Sequence, residues 1–109
     1  MNNLKERIKK AFIVAIDMDD TLCIGNHYTP DECINALPVL RMVEITKELA
    51  ERKYIIIYTA RKYELAEATL KWLDKYNVRY NAISFRKTNT DIYIDDRAVR
   101  PEELIEAME

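Results

Sequence analysis

Phe12-Ile13-Val14-Ala15-Ile16-Asp17-Met18-Asp19-Asp20-Thr21-Leu22 is the stretch that decides the fold. Residues 12–16 form a continuous apolar run, the pattern of a central parallel strand covered on both faces. Three carboxylates, Asp17, Asp19 and Asp20, follow that run at once. A second cluster repeats the arrangement, with Asp95-Asp96 directly after Tyr93-Ile94. If the two strands are parallel neighbours, both clusters lie at one carboxyl edge of a sheet, where open α/β sheets bind ligands. Crowded carboxylates repel one another unless a cation neutralises them. A divalent metal and a phosphate ester are the natural occupants, so the pattern points to phosphoryl transfer.

Working outward, residues 1–10 read as a polar, helical lead-in, and 20–30, with Gly25, Asn26 and Pro30, as a loop. From 39 to 52 the apolar positions Val39, Met42, Val43, Leu49 and Ala50 recur at helical spacing, with Arg41, Glu44, Lys47, Glu48 and Glu51 opposite. Pro38 suits the first turn of that helix. Tyr54–Tyr58 is a second buried strand ending at Thr59. A second amphipathic helix covers 63–76, with Leu65, Ala66, Thr69, Leu70, Trp72 and Leu73 inward. Short strands at 82–85 and 91–94 and a helix opened by Pro101 complete the chain. Strands alternating with helices predict an α/β, three-layer α/β/α Rossmann-like domain with a central parallel sheet. The link from 85 to 91 is short for a right-handed crossover. A fourth strand would therefore pair with the first on its far side, giving the order 3-2-1-4.

The 109 residues form one domain, 1–109, long enough to bury a core without staples. With 49% apolar and 33% charged residues the composition is that of a soluble globular chain. A net charge of -2 leaves no basic footprint and argues against a nucleic-acid partner. Cys23 and Cys33 read as free thiols in a reducing compartment, without zinc-type spacing. The apolar run after Lys5, Arg7, Lys9 and Lys10 is too short for a signal segment or membrane span, so a cytoplasmic, membrane-free protein is expected. There is no internal repeat or low-complexity tract.

Asp17-Met18-Asp19-Asp20-Thr21, Thr59, Lys87 and Asp95-Asp96, in that order and each at a strand end, resemble the haloacid dehalogenase superfamily of phosphatases. The resemblance runs from about residue 12 to residue 103. Within it, Tyr58-Thr59-Ala60-Arg61 and Tyr93-Ile94-Asp95-Asp96-Arg97-Ala98 look like small capless members linked to capsule and surface-polysaccharide synthesis. The resemblance implies Asp17 as the nucleophile, forming an aspartyl-phosphate, and Asp19 as the general acid and base of both half-reactions. It also implies metal ligation by Asp17, by the Asp19 backbone carbonyl and by Asp96 with Asp95 in support; the sequence does not separate the roles of the last two. All-oxygen ligation points to Mg²⁺. Thr59 would hydrogen-bond a phosphoryl oxygen. Lys87 would neutralise the transferring group and orient Asp17, with Arg86 or Lys62 as substitutes. Arg61 would contact the phosphate or a substrate carboxylate.

Plainer readings stand beside these. Asp17 and Asp19 could be solvated carboxylates of a turn, and Thr59 an ordinary strand-end residue. Relatives often carry Gly at the place of Asp20, which could simply shape the loop. His27 reads as a surface or substrate-side loop residue, and Trp72 as core. No cap domain fits between Asp17 and Thr59 or between 85 and 91, so the site is open. That suits a bulky substrate or a neighbouring copy of the chain as lid, with 23–30 as a small flap. The substrate expected is a phosphorylated small molecule such as a sugar phosphate or surface-polysaccharide precursor. Two other readings are a polynucleotide 3′-phosphatase, suggested by Arg97 and by the Arg after Thr59, and a receiver-like module that holds phosphate on Asp without turnover. In receivers, however, the acidic pair precedes the accepting Asp in the chain, the reverse of the order here.

Overall fold

The computed structural model of the chain describes residues 3–109. Its elements are α1 (Leu4–Lys10), β1 (Ile13–Ile16), α2 (Pro30–Ile34), α3 (Leu40–Ala50), β2 (Tyr54–Tyr58), a 3-10 turn (Tyr63–Leu65) that runs into α4 (Ala66–Lys75), β3 (Ala82–Ser84) and α5 (Pro101–Ala107). The lead-in is helical from Leu4; residues 1 and 2 of it lie outside the described residues. The strands make one parallel sheet in the order β1-β2-β3, with Ile16 beside Ile57 and Ile57 beside Ile83. This is the α/β Rossmann-like arrangement that the alternating pattern implies.

Both crossovers step across the sheet in the same direction, so right-handed connections carry α3 and α4 to one face. The register identifies it. Val14, Ile16, Ile55, Ile57 and Ile83 share a face and pack in one core with Met42, Val43, Ile45 and Leu49 of α3 and Trp72 and Leu73 of α4. Trp72 is fully buried, and its indole N–H donates to the Ala36 carbonyl at 2.8 Å. Full burial of such side chains stabilises by about 1.5–3 kcal/mol each, so this single face carries the sheet's hydrophobic stabilisation. Along the 3-10 turn and α4 the inward stripe is Leu65, Ala68, Thr69, Trp72 and Leu73. That is the i, i+3, i+4, i+7, i+8 set, and it leaves Leu70, expected inside, outside it and exposed.

Two expectations change. Residues 91–94 form no fourth strand: Ile92 is 71% and Ile94 93% exposed, and β1 is an edge rather than the centre of the sheet. The segment instead folds back on itself, with the Tyr93 hydroxyl donating to the Thr88 carbonyl. The expected outer layer is also missing among the described residues, since the face that carries Ile13, Ala15, Tyr54 and Tyr58 is exposed. A parallel crossover takes about a dozen residues or more, and the link from β3 to 91 is too short to hold the helix that would cover this face.

Helix α2 begins at Pro30, where the pattern of loop residues ends, and its signal is local. Thr29-Pro30-Asp31-Glu32 carries a capping-box spacing with Pro at the first helical position. The Thr29 hydroxyl accepts from Glu32 N–H at 3.2 Å, and the Glu32 carboxylate accepts from Tyr28 N–H at 2.7 Å. The helix places Cys33 against Leu65 and Ala68.

At its far end α4 closes on Asn77, a left-handed residue with φ 56°. Val78 N–H reaches the Leu73 carbonyl at 2.9 Å and Asn77 N–H the Asp74 carbonyl at 3.0 Å, a Schellman cap. Asn77→Gly should leave stability within about 0.5 kcal/mol, whereas a β-branched Val there should cost about 1–2 kcal/mol. Urea unfolding of the two variants checks this, and a neutral Asn77→Val would refute the conformational reading of the cap.

Candidate active site at the carboxyl edge of the sheet

β1 ends at Ile16, and the chain turns around a single carbonyl. Met18, fully buried, accepts at its backbone oxygen from the N–H groups of Thr21, Leu22 and Cys23 at 3.2, 2.9 and 3.1 Å. This turn presents Asp17 and Asp19 at the sheet edge. Asp20 takes φ 56°, and its carboxylate accepts from Gly25 N–H at 2.7 Å. Asp20 therefore shapes the loop, in a left-handed conformation that Gly would also adopt.

Asp17 meets Lys87. The Lys87 ammonium donates to Asp17 Oδ2 at 2.9 Å, while Asp17 Oδ1 accepts from Met18 N–H at 2.7 Å. Lys87 lies on the irregular link that follows β3. Its backbone N–H donates to the Thr59 carbonyl at 3.2 Å, which staples the chain leaving β3 to the end of β2. The ammonium also lies 4.7 Å from the centre of the Tyr93 ring. Thr59 itself is buried, and its hydroxyl oxygen accepts from Arg61 N–H at 3.1 Å, which leaves the hydroxyl hydrogen available to a second partner.

Asp19 meets Arg61. The guanidinium, buried, donates through Nη2 to Asp19 Oδ1 at 2.7 Å and through Nε to both oxygens at 3.3 Å. Its Nη1 donates to the Thr69 hydroxyl at 2.8 Å, and that hydroxyl donates to the Leu65 carbonyl at 2.8 Å. Arg61 is thus engaged inside the protein with Asp19 rather than turned toward the open edge. His27 Nδ1 lies 2.8 Å from the same Asp19 oxygen, with only 12% of its side chain exposed, and Cys23 Sγ lies 3.6 Å away. Burial pushes the Asp19 pKa up, but the bonds from Arg61 and His27 outweigh it and hold the carboxyl below its usual range. Burial pushes the Cys23 thiol up to about 12.

Asp95 and Asp96 are both exposed, and Asp95 Oδ1 accepts from Arg97 N–H at 2.8 Å. Among the described residues the group with three ligand atoms within 4.8 Å of one another is Asp19, Cys23 and His27. Sequence reasoning missed this group, because its spacing of i, i+4 and i+8 mixes residue types and runs through an irregular loop.

The chain is 32% identical to a structural-genomics target from Vibrio cholerae whose crystal structure is known, over 86% of this chain and 87% of that one, with a TM-score of 0.72. The two chains belong to one family. Chains in two structures of a Pnkp1/Rnl/Hen1 complex, one of them described as an RNA repair complex, are 21% and 22% identical with TM-scores of 0.62 and 0.60. Those matches cover 75% and 89% of this chain but 27% and 35% of those, so they are a likeness of fold over a part of longer proteins. No family model and no curated protein matches the chain. No helix among the described residues is long and apolar enough to cross a membrane.

Two donor sets face a metal differently. Asp19, Cys23 and His27 offer oxygen, sulfur and nitrogen, a mixture that can hold a metal ion and suits zinc-type ions. Arg61 Nη2 already places positive charge 2.7 Å from the Asp19 oxygen and 3.5 Å from Cys23 Sγ of that group. The Asp17 carboxylate, the Asp19 carbonyl and the Asp95-Asp96 carboxylates, the ligands expected from the sequence, are hard oxygen donors of the kind that Mg²⁺ takes, and the groups of three close donors among the described residues do not include them.

Arg61→Ala should destabilise the fold by about 3–5 kcal/mol, because it leaves a carboxylate partly buried without its partner. A loss below about 1 kcal/mol in denaturant titration would mean the pair is solvated. Asp19 also sets an acid limb. A folded pKa below the unfolded value of about 3.9 contributes stability that is complete above about pH 4 and is lost as pH falls through the folded value. Asp19→Asn should be less stable at neutral pH yet decline less steeply below about pH 4 than the wild type. Parallel acid limbs would sink the assignment.

Proposed function

We propose that the chain is a phosphomonoesterase of the haloacid dehalogenase type, working through an aspartyl-phosphate on Asp17. The observation that carries this reading is the Lys87 ammonium 2.9 Å from Asp17 Oδ2 at the carboxyl edge of the sheet, with Thr59 at the end of the next strand. A carboxylate in line with phosphorus needs its own charge and that of the phosphoryl oxygens offset, and Lys87 supplies both. An Asp17 oxygen attacks phosphorus as the bond to the leaving oxygen breaks, and Asp19, in the protonated form that the water step regenerates, gives that oxygen its proton. Water then attacks the phosphorus of the aspartyl-phosphate. Asp19 takes a proton from the water, the bond to the Asp17 oxygen breaks, and inorganic phosphate leaves. Thr59 donates its hydroxyl hydrogen to a phosphoryl oxygen throughout. Asp17, the Asp19 carbonyl and Asp96, with Asp95 in support, would hold Mg²⁺, which when bound neutralises the phosphate and the carboxylates.

The open edge fits a substrate that brings its own bulk, a sugar phosphate or polysaccharide precursor. A second reading, removal of phosphate from polynucleotide ends, draws on the fold likeness to chains of an RNA repair complex. The net charge of -2 and the inward engagement of Arg61 weigh against a polyanionic substrate.

Phosphate release from an aryl phosphate should depend on Mg²⁺, stop with chelator and fall by on the order of 10³-fold or more in Asp17→Asn. Sugar phosphates should turn over faster than a 3′-phosphorylated oligonucleotide, and the reverse ranking would favour end processing. A stable phosphoryl group on Asp17 without turnover would mark a phosphate-accepting module instead. Millimolar Mg²⁺ should also raise Tm by mass action, and Asp96→Asn should reduce that rise. A Tm indifferent to Mg²⁺ counts against the metal set.

A further inference from the structure

We propose that His27 is a positioning residue for Asp19, and that together with Arg61 it closes off one oxygen of that carboxylate so that the proton is exchanged at the other, Oδ2. This role for His27 rests on the phosphatase reading of the site.

The hydrogen bonds to Asp19 are one-sided. Oδ1 receives Arg61 Nη2 at 2.7 Å, His27 Nδ1 at 2.8 Å and Arg61 Nε at 3.3 Å, with Cys23 Sγ at 3.6 Å. Oδ2 receives Arg61 Nε at 3.3 Å. An ionised carboxylate only accepts, so the imidazole nitrogen facing it carries a hydrogen. Two short charge-assisted bonds occupy both lone pairs of Oδ1 and leave that oxygen no place for a proton. Oδ2 keeps that capacity. The terminal torsion of an aspartate is broad and nearly two-fold, so a carboxylate held from one direction can still swing. Arg61 holds Asp19 from the end of β2, and His27 holds it from the loop.

The loop is built to deliver that ring. Before His27, Gly25 N–H is fixed on the Asp20 carboxylate at 2.7 Å and Ile24 N–H on the Leu37 carbonyl at 2.8 Å. After it, Tyr28 N–H is fixed on Glu32 and Thr29 caps α2. The ring is therefore anchored on both sides along the chain. A misplacement of about 1 Å in an acid–base group can cost on the order of 10²-fold in rate, which sets the scale of the effect.

The test compares wild type, His27→Ala and His27→Asn with p-nitrophenyl phosphate, after thermal melts confirm that both variants fold. In His27→Ala, kcat should fall by about 10- to 100-fold and KM should fall with it, leaving kcat/KM nearly unchanged, because the second half-reaction alone slows. His27→Asn, whose amide N–H can occupy the place of Nδ1, should recover most of the loss. This reactive leaving group departs without a proton donor, whereas hydrolysis of the aspartyl-phosphate still needs Asp19 to accept a proton. Rapid quenching of His27→Ala should therefore trap more phosphorylated Asp17 at steady state. An unchanged kcat, a loss confined to KM, or equal loss in both variants would overturn the proposal. Nitrogen NMR of the imidazole tests the bond without turnover: a hydrogen on Nδ1 that Asp19→Ala releases is expected. A ring protonated at Nε2 alone overturns the proposal even where the phosphatase reading stands. An inactive wild type with Nδ1 protonated overturns the phosphatase reading and the catalytic part of this one, and leaves the Asp19–His27 bond.

Discussion

The ion pair between Asp19 and Arg61 joins what the chain supplies from four places. Asp19 belongs to the turn after β1, Arg61 to the end of β2, Thr69 to α4 and His27 to the loop before α2, and their polar atoms form one connected set. A buried ion pair adds little net stability over an apolar substitute of the same shape, since desolvation offsets most of the attraction. Losing one member is costly, because the other is left charged with no partner. The pair therefore acts as a constraint: the two strand ends and the helix above them are held in one relative position, and the remainder of the site is arranged around it.

Two carboxylates only two residues apart thus receive separate cations in different surroundings. Asp19 is matched by a buried guanidinium whose planar donors fix its orientation. Asp17 is matched by a lysine, with side chains 28% and 19% exposed. A partly solvated Lys–Asp pair is weak and exchanges partners easily. In the phosphatase proposed above, an incoming phosphoryl group would share the Lys87 ammonium with Asp17 without unfolding anything. The rigid pair would then suit a group that must hold an orientation, and the loose pair a group that must form and break a bond.

The sheet explains why this edge is open. With α3 and α4 on one face and a short link after β3, the Asp17 and Lys87 side chains keep 28% and 19% exposure at the carboxyl edge. The same short link delivers Lys87. Its N–H on the Thr59 carbonyl, one residue out of register with the β2–β3 ladder, ties the link to the end of β2 and leaves the side chain beside Asp17. The short link without a helix and the placement of Lys87 are one piece of chain.

Local chemistry made a good deal of this legible in the sequence. The apolar runs and the helical stripes around Met42 and Trp72 depend on burial within one element, so periodicity reports them. Asp17 could be placed on paper because it sits directly at a strand end, whereas Lys87, three residues beyond β3, pairs with it there through the family resemblance alone. The Asp19–Arg61–His27–Cys23 set could not be read in the same way. His27 and Cys23 lie in an irregular loop with no period, and Arg61 looks like any other strand-end cation until its burial is known. The fate of 91–96 was equally hidden, since a run such as Ile92-Tyr93-Ile94 fits a strand wherever a partner edge is in reach. Sequence determines which segments bury an apolar face; which charged side chains are then shut in together is decided by tertiary packing, because only the assembled layers set the desolvation that forces those charges to pair.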